Sequence, residues 1–140
     1  VVPLAKKWDI TKREYHKWYN DTFTYTLDNG VVDHVEGNIE VPFMLGESQI
    51  IKVENDVYVA NMLAQKMGNY KGVPPIRYEA LHECLHHVVD SAQKLSIKTL
   101  SGPKFGAGLS GGSWKIIEEI INEVVCGSGL DMDIYELPQR

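Results

Sequence analysis

A glycine-rich stretch, GPKFGAGLSGGSW, occupies Gly102–Trp114 and decides the interpretation of the fold. It follows Ile97–Leu100, which predicts a short buried strand, and precedes a helical pattern that Ser113 is expected to cap. Glycines let a backbone turn sharply and approach a ligand with no side chain between them. The amino terminus of the following helix supplies unpaired amides and the positive end of the helix dipole. A strand, a glycine loop and a helix in this order therefore predict a phosphate-binding site.

The loop differs from two common nucleotide-binding loops. It lacks the Gly-Lys-Ser/Thr ending of a nucleotide-hydrolase P-loop. The run Gly106-x-Gly108-x-x-Gly111 fits the dinucleotide fingerprint in spacing, but it lies late in the chain and no second βαβ half follows it. A glycine-rich connection that binds no ligand is the alternative interpretation. The position of the loop between a strand and a helix favours a site.

The segments around the loop alternate between strand and helix. Gln49–Val53 and Val57–Met62 are rich in β-forming residues and flank a polar turn, which predicts a hairpin. Val73-Pro74-Pro75 opens a long helix, and Met132–Leu137 alternates as a final strand. The apolar stripes expected to face the core are Leu81, Cys84, Leu85, Val88, Ala92 and Leu95 in the first helix, and Trp114, Ile117, Ile120, Ile121, Val124 and Val125 in the second. This alternation predicts an α/β fold with helices covering a sheet.

The first forty residues give weaker signals. Thr11 and Glu14 have the spacing of a capping box, which predicts a helix that begins at Thr11. That helix carries Tyr15, Trp18 and Tyr19 on one face, an aromatic cluster expected to belong to the core. Residues 22–40 mix β-forming residues with turn signals, and they predict strand fragments and loop.

Composition places the chain among globular domains. Its 140 residues predict one domain spanning 1–140. Acidic residues outnumber basic ones by 19 to 14, and without a Lys/Arg cluster this balance argues against nucleic-acid binding. No apolar run approaches the roughly 20 residues that a membrane helix needs. Cys84 and Cys126 are too few for a disulfide framework, so both are expected to be small core residues of a cytoplasmic protein.

A metal-binding motif suggests an alternative function. His82-Glu83-x-x-His86 matches the zinc metallopeptidase pattern, in which two histidines bind zinc and the glutamate acts as general base. At 100° per residue the histidines fall beside Asp90, opposite the apolar stripe, so their face is expected to be solvated. Ala92 stands where a third histidine ligand would lie, although Glu118 or Glu119 could supply a distant ligand. We therefore expect no bound metal or other cofactor and keep a zinc metallopeptidase as the alternative.

The loop and its flanks resemble a macro domain, the fold that binds ADP-ribose. The second ligand loop of that family typically reads P-[RK]-[IF]-G-x-G-L-x-G-G-x-W, and Pro103–Trp114 follows this pattern at each fixed position. Residues 45–62 resemble the central hairpin of the family, and residues 73–81 resemble the start of its next helix. The resemblance covers about Leu45 to Leu137, and Val1–Tyr19 also resembles the first helix of the family. It implies a three-layer α/β/α fold with a mixed sheet flanked by helices.

The resemblance also points to strands that the chain does not contain. Macro domains carry an earlier glycine-rich loop just before their first helix, and upstream of it a buried strand that ends in asparagine. Neither is found here. Either a segment upstream of the given sequence supplies them, or the chain is a degenerate member of the family. Because a sheet without its first strands would expose apolar edges, we expect the upstream segment.

The resemblance assigns roles to individual residues. It implies that ADP-ribose, or an ADP-ribosylated protein, is the partner, and that the ligand-binding residues are Pro103, Lys104, Gly106, Ala107, Gly108, Leu109, Ser110, Gly111 and Gly112. Some relatives remove ADP-ribose from proteins with a lysine and an aspartate, and others hydrolyse ADP-ribose 1''-phosphate. Lys52 aligns with that lysine, whereas Ser110 replaces the aspartate. A serine is no general base at neutral pH without a partner, so the catalytic pair is half present.

Overall fold

The computed structural model describes residues 7–20, 22–26, 32–36, 43–65, 76–105 and 112–135, and for 22–26 and 32–36 it describes the backbone alone. In chain order the elements are helix α1 (Asp9–Asn20), strands β1 (Thr22–Thr26), β2 (Val32–Glu36), β3 (Ser48–Glu54) and β4 (Val57–Met62), helix α2 (Tyr78–Lys94), strand β5 (Thr99–Pro103), helix α3 (Trp114–Val124), a 3₁₀ turn at Cys126–Ser128, and strand β6 (Asp131–Tyr135).

The described strands form three pairs. Strands β1 and β2 are antiparallel, as are β3 and β4, while β5 and β6 run parallel. The predicted hairpin is confirmed: Ile51 lies opposite Val59, and the turn contains Asp56 with φ of 59°. Since α3 connects the two parallel strands, residues 99–135 form a βαβ unit. The mixed pairing and the alternating helices confirm the α/β class.

The core is built between the two longer helices and the strands. Leu81, Cys84 and Leu85 of α2 pack in one cluster with Ile117 and the other buried residues of α3. Both predicted stripes therefore face the core, with one exception at the end of α2. Leu95 follows the last helical residue and is exposed, because the chain turns away at Ser96, which has a positive φ of 59°.

The two cysteines have different environments. Cys84 is fully buried, as expected, and its Sγ lies 3.4 Å from the carbonyl oxygen of Glu47. Burial raises the pKa of the Cys84 thiol. The prediction for Cys126 is wrong, since this residue lies exposed in the 3₁₀ turn that follows α3.

Helix α1 begins two residues before the predicted start. Asp9 is its first residue, and Arg13 forms an ion pair with it at 2.9 Å. Thr11 is therefore inside the helix, buried, and its hydroxyl donates to the Trp8 carbonyl rather than capping downstream amides. The aromatic cluster is partly confirmed, because Trp18 is buried against Phe43 while Tyr19 remains half exposed. Among the described residues, no helix is long and apolar enough to cross a membrane.

Candidate phosphate-binding site

The two flanks of the glycine loop lie side by side. Strand β5 ends at Pro103, and the rings of Phe105 and Trp114 meet edge to face with centroids 6.5 Å apart. The Lys104 ammonium lies 5.8 Å from the centre of the Trp114 ring. These contacts bring Lys104 and Phe105, at one end of the loop, next to Trp114, just beyond its other end. Of the predicted ligand residues, the structure describes Pro103, Lys104 and Gly112. The predicted ligand residues between them lie outside the described residues: Gly106, Ala107, Gly108, Leu109, Ser110 and Gly111.

The first flank is a tight turn fixed by packing. The amide of Phe105 donates to the Pro103 carbonyl at 2.7 Å, which reverses the chain directly after β5. The Phe105 ring then lies over Gly102, where an added Cβ would sit 3.4 Å from Phe105 Cδ1. A glycine at this position lets the ring pack close to the strand. The turn and the packing of Phe105 therefore fix the backbone at the end of β5, where the glycine loop begins.

The second flank is the amino terminus of α3. Ser113 has the extended N-cap backbone that the sequence predicts, but its side chain makes no capping hydrogen bond to any described residue. The amides of the first turn are thus not occupied by that hydroxyl. No acidic residue lies in this turn, and Lys115 adds a positive charge. An uncapped helix start with adjacent cations favours an anionic ligand.

Tyr78, which sequence reasoning missed, contacts this flank. The backbone amide of Ser113 donates to the Tyr78 hydroxyl at 2.9 Å. Tyr78 is the first residue of α2, so the starts of two helices meet at the loop. The two residues are 35 positions apart, and no local pattern in the sequence signals such a contact.

The candidate catalytic pair is not assembled by the described residues. Lys52 lies exposed on β3, opposite Tyr58 of β4, in a strand pair separate from β5 and β6. Ser110 lies outside the described residues. The catalytic role of both residues stays a prediction.

Two grooves flank strand β6. One, of about 360 Å³, is lined by the loop-flank residues Lys104 and Trp114 together with Glu118, Asn122 and Ile134. The other, of about 500 Å³, is lined by Asp131 and Asp133 and lies away from the loop. The larger groove carries two carboxylates and no cation, whereas the groove at the loop carries one carboxylate and the Lys104 ammonium, so it suits a phosphorylated ligand better.

The face of the metal-binding motif is solvated, as predicted. The rings of His82 and His86 lie 4.6 Å apart, and His82 keeps 37% of its side-chain surface exposed. The acidic neighbour of His82 is Glu123 at 3.7 Å, rather than Glu118 or Glu119. Across the described parts of the chain, no three His, Cys, Asp or Glu side chains form a group that could hold a metal ion. A catalytic zinc centre therefore has no support here.

Comparisons with known proteins were made by family, by sequence and by structure. No family model and no curated protein matches the chain. Solved structures do match. A protein of unknown function from Bacteroides thetaiotaomicron is 32% identical with a TM-score of 0.79, over 97% of this chain and 76% of that one.

Two further structures carry a named fold. A macrodomain protein from Streptomyces coelicolor is 28% identical with a TM-score of 0.67, over 98% of this chain and 76% of that one. The macrodomain of Thermus aquaticus DarG is 23% identical with a TM-score of 0.53, over 67% and 62% of the two chains. These likenesses agree with the glycine loop and with the order of strands and helices. We conclude that this chain has the macro-domain fold.

Proposed function

We propose that this chain binds ADP-ribose, free or attached to a protein, through the loop Pro103–Gly112. The observation that carries the proposal is the amino terminus of α3, where the Ser113 side chain caps no amide among the described residues, directly after a glycine-rich sequence in a macro-domain fold. Backbone amides of the loop and of the first turn of α3 would donate to the oxygens of the diphosphate. Such amides bind anions without a specialised side chain.

Local charge supports an anionic ligand on an acidic protein. The net charge of −5 disfavours anions in general. At the loop, however, Lys104 and Lys115 flank the helix start, while Glu118, which accepts a hydrogen bond from the Trp114 indole at 3.1 Å, keeps its negative charge one turn into α3. The positive end of the α3 dipole adds to this local field. A small diphosphate would therefore meet an attractive potential at this point of the surface.

We propose binding rather than hydrolysis as the activity. Hydrolysis through the lysine and aspartate arrangement would need a general base near the scissile bond, and Ser110 stands at the position of the aspartate. Lys52 lies on the separate β3–β4 pair. When each is incubated with a mono-ADP-ribosylated protein, the wild-type chain should release no more ADP-ribose than the Lys52→Ala variant releases. Release that depends on Lys52 would replace binding with hydrolysis as the proposed activity.

Calorimetric titration tests the proposal. ADP-ribose should bind, and adenosine, which lacks the diphosphate, should bind at least about tenfold more weakly because it forms no charge-assisted hydrogen bonds with the amides. A chelator should leave the affinity unchanged, since the proposed site consists of backbone amides. Equal affinity for both ligands, or no detectable binding of ADP-ribose, would contradict the proposal. Loss of binding with the chelator would revive the zinc alternative.

A further inference from the structure

Tyr78 links the start of α2 to the start of α3 by one hydrogen bond. The Ser113 amide donates to the phenolic oxygen at 2.9 Å. Ser113 is the N-cap residue of α3, and its amide precedes the first helical turn. This hydrogen bond therefore restrains the backbone at Ser113, directly after the glycine loop.

The phenol is held in place by the core beneath it. Tyr78, Phe105 and Trp114 are all partly buried, and all three pack against the same core cluster. Ala80 and Leu81, two and three positions after Tyr78 in α2, are buried as well. Because the ring packs against this cluster, it holds its oxygen in place as an acceptor for the Ser113 amide at the protein surface.

A stationary acceptor reduces the entropic cost of binding. Fixing a backbone segment in one conformation costs conformational entropy. Because Tyr78 already fixes the Ser113 amide, less of that cost falls on the ligand when the amides of the α3 start bind it. We infer that Tyr78 is a positioning residue that holds the end of the glycine loop and the first-turn amides of α3 in a binding-ready arrangement. This inference rests on the proposed function.

The contrasting interpretation is that Tyr78 only fills space in the core. Replacement with phenylalanine keeps the ring and removes the acceptor, so it separates the two roles. As a matched control, Tyr15→Phe removes a hydroxyl from a partly buried tyrosine of α1. Both variants should keep the melting temperature of the wild type to within a few degrees.

A double-mutant cycle tests the inference. Tyr78→Phe should weaken ADP-ribose binding about two- to tenfold, the net value of one neutral hydrogen bond, while Tyr15→Phe leaves it unchanged. Ser113→Pro removes the donor amide itself, and the Ser113 φ of −80° suits proline. In the Ser113→Pro background, Tyr78→Phe should have no further effect on affinity. If Tyr78→Phe weakens ADP-ribose binding equally in the wild type and in the Ser113→Pro background, the inference is overturned.

Amide hydrogen exchange at Ser113 gives a readout that does not depend on the ligand. Exchange should be at least about threefold faster in Tyr78→Phe than in the wild type, and unchanged in Tyr15→Phe. Unchanged exchange in Tyr78→Phe would overturn the inference. If the wild type binds no ADP-ribose, the proposed function fails, yet faster exchange would still support Tyr78 as the group that holds the loop end.

Discussion

Replacement of Ser113 with aspartate should stabilise the folded chain and weaken ADP-ribose binding. The Ser113 backbone already has N-cap geometry, with φ of −80° and ψ of 117°. An aspartate carboxylate can therefore accept hydrogen bonds from the first-turn amides of α3 without a backbone change. The proposed function assigns these amides to the diphosphate. A single substitution thus moves stability and affinity in opposite directions.

The magnitudes follow from the cap and from the added charge. A new N-cap contributes about 0.5–2 kcal/mol, and its charge at the helix dipole adds about 0.3–1 kcal/mol. In a chain of this size, each kcal/mol raises the melting temperature by about 3 °C. Against a bound phosphate about 4 Å away, the carboxylate costs about 1–4 kcal/mol. The affinity should fall by at least about fivefold.

Thermal melts without ligand and calorimetry with ADP-ribose measure the two effects. The loss of affinity should shrink at high salt, because salt screens the repulsion. Gln93→Glu is the matched control: it adds the same charge at an exposed position of α2, about 22 Å beyond Tyr78 at 1.5 Å per residue. Unchanged ADP-ribose affinity in Ser113→Asp would refute the assignment of the α3 amides to the ligand.

Three further predictions concern the fold. Gly46→Ala should destabilise the chain by about 1–2 kcal/mol in a denaturant melt, because Gly46 has φ of 96°, a left-handed conformation that a residue with a Cβ adopts only under strain. Asn61→Ala should cost about 1–3 kcal/mol, because the buried Asn61 amide donates to the Thr11 carbonyl at 3.2 Å. Cys84 should resist a thiol reagent until the chain unfolds. Since burial raises its pKa from 9.0, the folded state holds this proton more tightly, and stability should fall as the pH rises above that value.

Matched controls accompany these variants. Gly127→Ala changes a glycine outside the left-handed region, and Asn122→Ala removes an exposed amide of α3. Both should leave stability nearly unchanged. Exposed Cys126 should react with the thiol reagent in the folded chain, and Cys84→Ser should remove the part of the pH dependence that is due to the buried thiol. If Cys84 reacts as fast as Cys126, the described burial is wrong.

Periodic patterns within short stretches of sequence predicted the hairpin, helix α2 and the solvated face of its histidines. The hairpin at residues 48–62 follows from β-forming runs around a polar turn, and α2 follows from apolar residues at helical spacing. The solvated face of His82 and His86 follows from helix geometry alone. In each case the period of the sequence matches the period of the structure.

Tertiary contacts decided the features that the sequence did not predict. Ser113 has N-cap geometry but no side-chain cap, and its amide is taken by Tyr78, a residue 35 positions away. Helix α1 begins at Asp9, before the apparent capping box at Thr11. Cys126 fits an apolar pattern yet lies exposed, because the helix ends just before it and the chain turns. Pattern analysis cannot anticipate these outcomes, since each depends on where another segment packs or on where a helix stops.

An NMR titration of the labelled protein with ADP-ribose would locate the bound ligand on the chain. The largest amide shifts should fall between residues 103 and 116, with Ser113 and the first turn of α3 among them. Amides around His82 and along the groove of Asp131 and Asp133 should shift little. Shifts that centre on either of those regions, or no shifts at saturating ligand, would contradict a phosphate site at the start of α3.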